Sequence, residues 1–137
     1  MTVMRINPAE LARPSGFSHA VSAIGRIVFL AGQTGVDRDG NVAEGGIVPQ
    51  FERALGNLLT ALAATAGQPS DLVSLTIYLT DVEDYQAHGQ EIGAVWRRLA
   101  GTDYPAMAAV GVTRLWRPEL LVEIQGIAVV GADGVRR

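Results

Sequence analysis

The chain contains neither cysteine nor lysine among its 137 residues. Without Cys it can hold no disulfide, no thiolate metal site and no Cys nucleophile. Without Lys it can form no Schiff base, and a phosphate-binding P-loop would lack its lysine. All 11 basic residues are Arg, and with 14 acidic residues the formal charge is −3. No basic run forms, so a phosphate footprint for nucleic acid is not expected. Long apolar runs are missing too. The longest, such as Leu120–Val122 and Ile127–Val130, have strand length and fall far short of the roughly 20 residues that span a bilayer. The N-terminal M-T-V-M-R-I-N-P lacks a signal-peptide core, and Asn7-Pro8 interrupts it. These absences predict a soluble cytoplasmic protein with no membrane partner.

What remains is ordinary for a globular chain: 48% apolar residues, 18% charged residues and 16 Gly. The length predicts one domain over residues 1–137, with only the tail from about Gly131 reading as frayed. Ser18–Ala23 and Ile27–Gln33 flank Gly25-Arg26 and read as a hairpin. The Asp37–Asn41 segment is dense turn chemistry. From about Pro49, Phe51, Leu55, Leu58 and Leu62 recur on one helix face, broadened by Ala54 and Ala61. Gly67 and then Pro69 end that helix.

Leu72–Leu79 alternates as a strand with one buried face. Asp81 caps a second helix with Tyr85, Ile92, Trp96 and Leu99 in one stripe, in which Gly89 and Gly93 weaken helix propensity. Ala106–Val112 and Leu120–Val130 read as closing strands, with room for an edge strand at Thr2–Ile6. The order β-β-α-β-α-β-β predicts the α+β class, a mixed sheet with two helices packed on one face. The other sheet face then carries Ala and Val with no helix to cover it, which predicts a second subunit there.

Several segments, taken in order, resemble the RidA/YjgF family over about residues 15–130. They are G-F-S-H-A-V at 16–21, V-F-L-A-G-Q at 28–33, Q-F-E-R-A-L-G-N-L at 50–58 and A-G-Q-P-S-D-L-V at 66–73. T-I-Y-L-T-D-V-E-D-Y at 76–85, Y-P-A at 104–106 and V-E-I-Q-G-I-A at 122–128 continue the likeness. The resemblance implies a chorismate-mutase-like fold, a homotrimer with inward-facing sheets, and ligand clefts between neighbouring subunits. It also implies hydrolysis of reactive enamines and imines, such as 2-aminoacrylate, to 2-keto acids and ammonia, without a cofactor.

Members with that activity carry an Arg directly after the Pro-Ala of the Y-P-A segment, where its planar fork grips the substrate carboxylate. Here that residue is Met107. A thioether cannot replace two charge-assisted hydrogen bonds, each worth about 1.5–3 kcal/mol. Phe17 stands in place of a Tyr, Ala31 of a Ser, Gly89 of an Asn and Ala109 of a Cys. Gln33, the Ala31-Gly32 backbone and Glu123 match the family.

Glu123 interrupts the apolar L-L-V-E-I strand on the face opposite Val122 and Ile124. An ionised carboxylate is costly to bury alone, so it must be paired, protonated or beside water. The resemblance implies that it positions or protonates the hydrolytic water, while backbone groups near Ala31-Gly32 and Ala108-Ala109 polarise the substrate. The alternative is an ion pair with Arg114 or Arg117 at an interface. Arg114 itself reads either as a contact for an anionic ligand or as half of an ion pair. Met107, Phe17, Ala31 and Ala109 read as an apolar ligand pocket or as ordinary packing. Trp116 reads as a lid or as a cover for apolar surface.

His19 reads as an interface hydrogen-bonding residue and His88 as a solvated helix residue; neither has metal-ligand spacing, so no metal is expected. Gly32 and Gly35 do not make a dinucleotide fingerprint. The expected function is therefore a small-metabolite hydrolase of imine or enamine type whose substrate is not the standard 2-iminoacid. The alternative is a small-molecule-binding trimer without catalysis.

Overall fold

A computed structural model describes residues 3–131, so the expected frayed tail lies almost wholly outside the described residues. Strands β1 (Val3–Ile6) and β2 (Ala20–Ala23) pair as a two-stranded antiparallel ribbon. A four-stranded sheet carries, in spatial order, β3 (Arg26–Thr34), β6 (Val122–Val130), β4 (Leu72–Leu79) and β5 (Ala106–Gly111). Only the β4–β5 pair is parallel, so the sheet is mixed. Three helices complete the described chain: α1 (Ile47–Ala63), α2 (Val82–Ala87) and α3 (Gly89–Ala100).

The helix stripes read from the sequence are the ones that bury. Phe51, Ala54, Leu55, Leu58 and Leu62 of α1 are each at most 1% exposed. They lie against Leu75, Ile77, Leu79, Val122 and Ile124, the inward residues of the two central strands. α3 packs on α1 and adds Ile92, Val95 and Trp96. At the end of α1 the left-handed residue is Ala66, with φ 70°, not Gly67. Gly67 is needed for a different reason: a Cβ there would overlap Leu62 and crowd Val130.

Two expectations about connection change. The second helix is two helices, α2 and α3, divided at His88, where φ −106° and ψ 21° leave the helical range. Asp81 caps α2 as expected, accepting from the Asp84 N–H at 3.0 Å. Gly89, a weak helix former, follows the break directly. The hairpin around Gly25 does not form either: β2 pairs with β1, while β3 leaves to pair with β6. Gly25, at φ 154°, passes so close to the Val130 backbone that any Cβ would collide. The closing strands β5 and β6 are not neighbours in the sheet. β4 lies between β5 and β6, and residues 112–121 carry the chain past it.

Residues paired across strands share a face. Val28, Leu30, Ile77, Leu75 and Ile124 turn to the helices. Ile27, Phe29, Ile127, Gln125, Glu123, Thr76, Tyr78, Ala108 and Val110 turn away from them. On that open face Phe29 is 78% exposed and Ile27 60%.

Gln50 ties α1 to the approach to β6. It is 4% exposed; its Nε2 donates to the Glu119 carbonyl at 3.1 Å and its Oε1 accepts from the Leu121 N–H at 2.8 Å. Gln50→Leu strands both backbone groups, and each buried polar group left unpaired costs about 1–3 kcal/mol. Urea unfolding is expected to show a loss of at least about 1 kcal/mol; an unchanged midpoint and slope would contradict this role.

Candidate functional site

In β3, Leu30 stands opposite Gly126 and Gln33 opposite Ile124, so Ala31 and Gly32 together face Gln125 alone. This is a β-bulge, which takes backbone groups out of the ladder and re-aims side chains. Glu123, across from Thr34 and Tyr78, lies half-buried on the open face beside it. Its side chain runs over Gly32: a Cβ added there would overlap the Glu123 carboxylate and stand 2.9 Å from Cδ and 3.1 Å from Cγ. Glycine is thus required for the carboxylate to lie against the bulge.

Among the described residues Glu123 has no ion-pair or hydrogen-bond partner. Arg117, one of the cations considered for it, bonds Glu119 Oε2 at 2.7 Å and the Gly40 carbonyl at 2.7 Å. Arg114 turns back on its own loop, donating to the carbonyls of Leu115 at 3.2 Å and Trp116 at 3.4 Å. Even so, Arg114, Leu115, Trp116 and Glu123 line a common hollow, and Trp116 is 88% exposed at it.

The other expected site residues lie elsewhere. Met107 on β5 stands opposite Leu75 and so faces the helix layer, where it lines a cavity with Phe51, Tyr85 and Trp96. Ala108 turns to the open face; Ala109 is exposed, and β5 is an edge strand along which these residues lie. Phe17 is half-buried and meets His19 edge-on at 5.1 Å. Ser18 pins this segment to β5: its Oγ donates to the Tyr104 carbonyl at 2.7 Å and its N–H to the Pro105 carbonyl at 3.0 Å. His19 closes the preceding loop within the chain, Nε2 lying 2.6 Å from the Ala12 carbonyl. Gln33 turns to the helix side and lines a different hollow with Asn57 and Thr60. His88, paired with Asp84 at 3.3 Å, has its pKa raised mainly by the Asp84 carbonyl. Among the described residues no three His, Asp or Glu side chains gather as a metal would require.

The chain therefore carries two part-sites. One is Glu123 with the Ala31-Gly32 bulge; the other is Phe17, Met107 and Ala109 along the β5 edge. With β4 between them, strands β6 and β5 run about 10 Å apart, and Met107 and Glu123 project from opposite faces.

An open-faced mixed sheet backed by helices, with a carboxylate over a bulge, defines a class of small α+β proteins. Residues 8–130 match the model of the family described as Endoribonuclease L-PSP, and the chain belongs to that family. It is 33% identical over 118 residues to a RutC family protein of Pyrococcus horikoshii, covering 85% of this chain and 89% of that one. A protein of Capra hircus named 2-iminobutanoate/2-iminopropanoate deaminase is 32% identical over 116 residues, covering 84% and 80%. A solved structure of a Rid family protein from Yersinia pestis, described as of unknown function, superposes with a TM-score of 0.82 at 34% identity, covering 94% of this chain and 99% of that one. The RidA/YjgF membership and the chorismate-mutase-like α+β fold expected from the motifs are both confirmed. No helix among the described residues is long and apolar enough to cross a membrane.

The packing of Glu123 on Gly32 makes a specific prediction. Because the carboxylate is the mobile end of a side chain, Gly32→Ala should fold with stability within about 1 kcal/mol of the parent. The Glu123 side chain should nevertheless leave the bulge, seen as a changed Cδ chemical shift. A loss above about 3 kcal/mol, or an unmoved Cδ signal, would contradict this packing.

Proposed function

We propose that this protein is a hydrolase of small imines or enamines, built as a homotrimer with its reaction clefts between subunits. The observation that carries the reading is the unpartnered Glu123 carboxylate lying against the Ala31-Gly32 bulge. A carboxylate without an Arg partner among the described residues is available to water, and freed backbone N–H groups are available to developing negative charge. The deaminase name carried by relatives such as that of Capra hircus supports the same chemistry.

Water, oriented by Glu123, adds to the C=N carbon; the C–O bond forms and the C=N electron pair moves to nitrogen, which takes a proton. Glu123 passes the water's proton toward nitrogen, the C–N bond of the tetrahedral intermediate breaks, and ammonia leaves a carbonyl product. Nothing is oxidised or reduced, and no metal or cofactor takes part. Arg114 and Trp116 border the Glu123 hollow, where an anionic part of a ligand would meet a cation.

The two part-sites support assembly between subunits. A small substrate cannot span about 10 Å and opposite sheet faces within one chain, whereas a neighbour can bring its β5 edge to Glu123. The exposed Phe29 and Ile27 give the subunits an apolar face to bury. The substrate we propose is not the standard short 2-iminoacid, because Met107 holds no carboxylate. RNA is not proposed as a substrate: the formal charge is −3 and no basic run exists. We also place the whole chain in one cytoplasmic domain.

The test is ammonia release from freshly generated imines and enamines of varied side chain. Glu123→Gln should lower kcat at least about 100-fold for the preferred substrate with folding intact. Equal rates for parent and variant, or ligand-induced stabilisation without turnover of any imine, would overturn hydrolysis in favour of the binding-module alternative.

A further inference from the structure

The segment 112–121, between β5 and β6, is braced along its length. Val112 donates its N–H to the Leu79 carbonyl at 2.8 Å, and Leu120 donates to the Arg117 carbonyl at 3.1 Å. Arg117 donates to the Gly40 carbonyl at 2.7 Å and so ties the loop to a second one. Arg114 closes the turn from within, through the carbonyls of Leu115 and Trp116. The indole that this braced turn presents is nevertheless 88% exposed, whereas the chain's other Trp, Trp96, is 5% exposed. A Trp side chain is one of the largest apolar surfaces a residue can bury. Fixing its backbone while leaving that surface in water suits recognition better than packing within the chain.

The hollow shows what the indole can meet. Arg114, Leu115 and Trp116 line it together with Glu123. A neighbouring subunit packed tightly on the indole would also close over the Glu123 carboxylate, which has no partner among the described residues. Taking an unpaired carboxylate out of water is costly. A hollow that stays open to water and small molecules avoids this cost, and Trp116 is then one of its walls. The broad π face of an indole is covered well by a flat ring and poorly by a short aliphatic chain.

We propose that Trp116 sets the substrate class of the Glu123 site: it stacks on a flat aromatic substituent of the imine or enamine whose C=N carbon lies at Glu123. Arg114 is a positioning residue, holding the turn that presents the indole. The chemistry rests on the hydrolase reading, but the stacking is a property of binding and is measurable without turnover.

The test compares imines freshly made from 2-phenylethylamine and from butylamine by a flavin amine oxidase, with ammonia release as the readout. The parent should favour the aromatic imine about tenfold in kcat/KM. Trp116→Ala should bring that ratio near one, through KM more than kcat, and Trp116→Phe should restore most of it. Calorimetric titration with acetophenone and butanone, which mimic carbonyl products, should show the same preference of about tenfold and its loss in Trp116→Ala. A Trp116-dependent preference in binding without turnover of any imine would overturn hydrolysis and uphold this role of Trp116. No preference in the parent, or one that survives Trp116→Ala, would overturn the proposal. A fall in oligomer mass by light scattering in Trp116→Ala would assign the indole to a contact between subunits and overturn it too.

Discussion

Period-two alternation gives the four-stranded sheet two apolar faces, and the chain has helices for only one. α1 and α3 seal the side carrying Leu75, Ile77, Val122 and Ile124. Burial of large aliphatic side chains at roughly 1.5–3 kcal/mol each makes this sealed face the main source of stability. Phe29 and Ile27 remain on the other side, 78% and 60% exposed. A face of that character is costly to leave in water and available for another copy of the chain. The position of Glu123 follows from the same constraint. It is the acidic residue of β6, and its register puts it on the unsealed side.

The bulge then decides what Glu123 can do. Without it, Ala31 and Gly32 would continue the ladder against β6. With it, the two residues share one partner, Gln125, and Gly32 makes room for the carboxylate. The two cations expected for it have other partners: Arg117 has Glu119, and Arg114 its own loop carbonyls. A carboxylate isolated in this way suits proton transfer better than a structural ion pair does.

Much of this was legible in the sequence and some was not, for physical reasons. The stripe Phe51–Leu55–Leu58–Leu62 and the alternation in Leu72–Leu79 reflect local periodicity, so they carried directly into α1 and β4. Strand partners depend on contacts distant in sequence. The dipeptide Gly25-Arg26 looks like a hairpin turn whether β3 pairs with β2 or, as found, with β6. The Ala31-Gly32 bulge is likewise a property of two strands in register. Glu123 was conspicuous because it breaks an apolar run, and Met107 because it departs from a motif. Trp116 could be read as a lid or as a cover, because its place beside Glu123 depends on how residues 112–121 fold back.

The central claim is that one subunit's Glu123 works with a neighbour's β5 edge, and subunit mixing tests it most directly. Glu123→Gln removes the carboxylate, and Ala109→Trp fills the exposed β5 wall; each homogeneous protein should be folded and inactive toward the parent's preferred imine. Co-refolding the two should restore part of the parent activity, because some clefts then combine an intact Glu123 with an intact β5 edge. A mixed preparation as inactive as its parents, although light scattering shows mixed oligomers, would contradict the account.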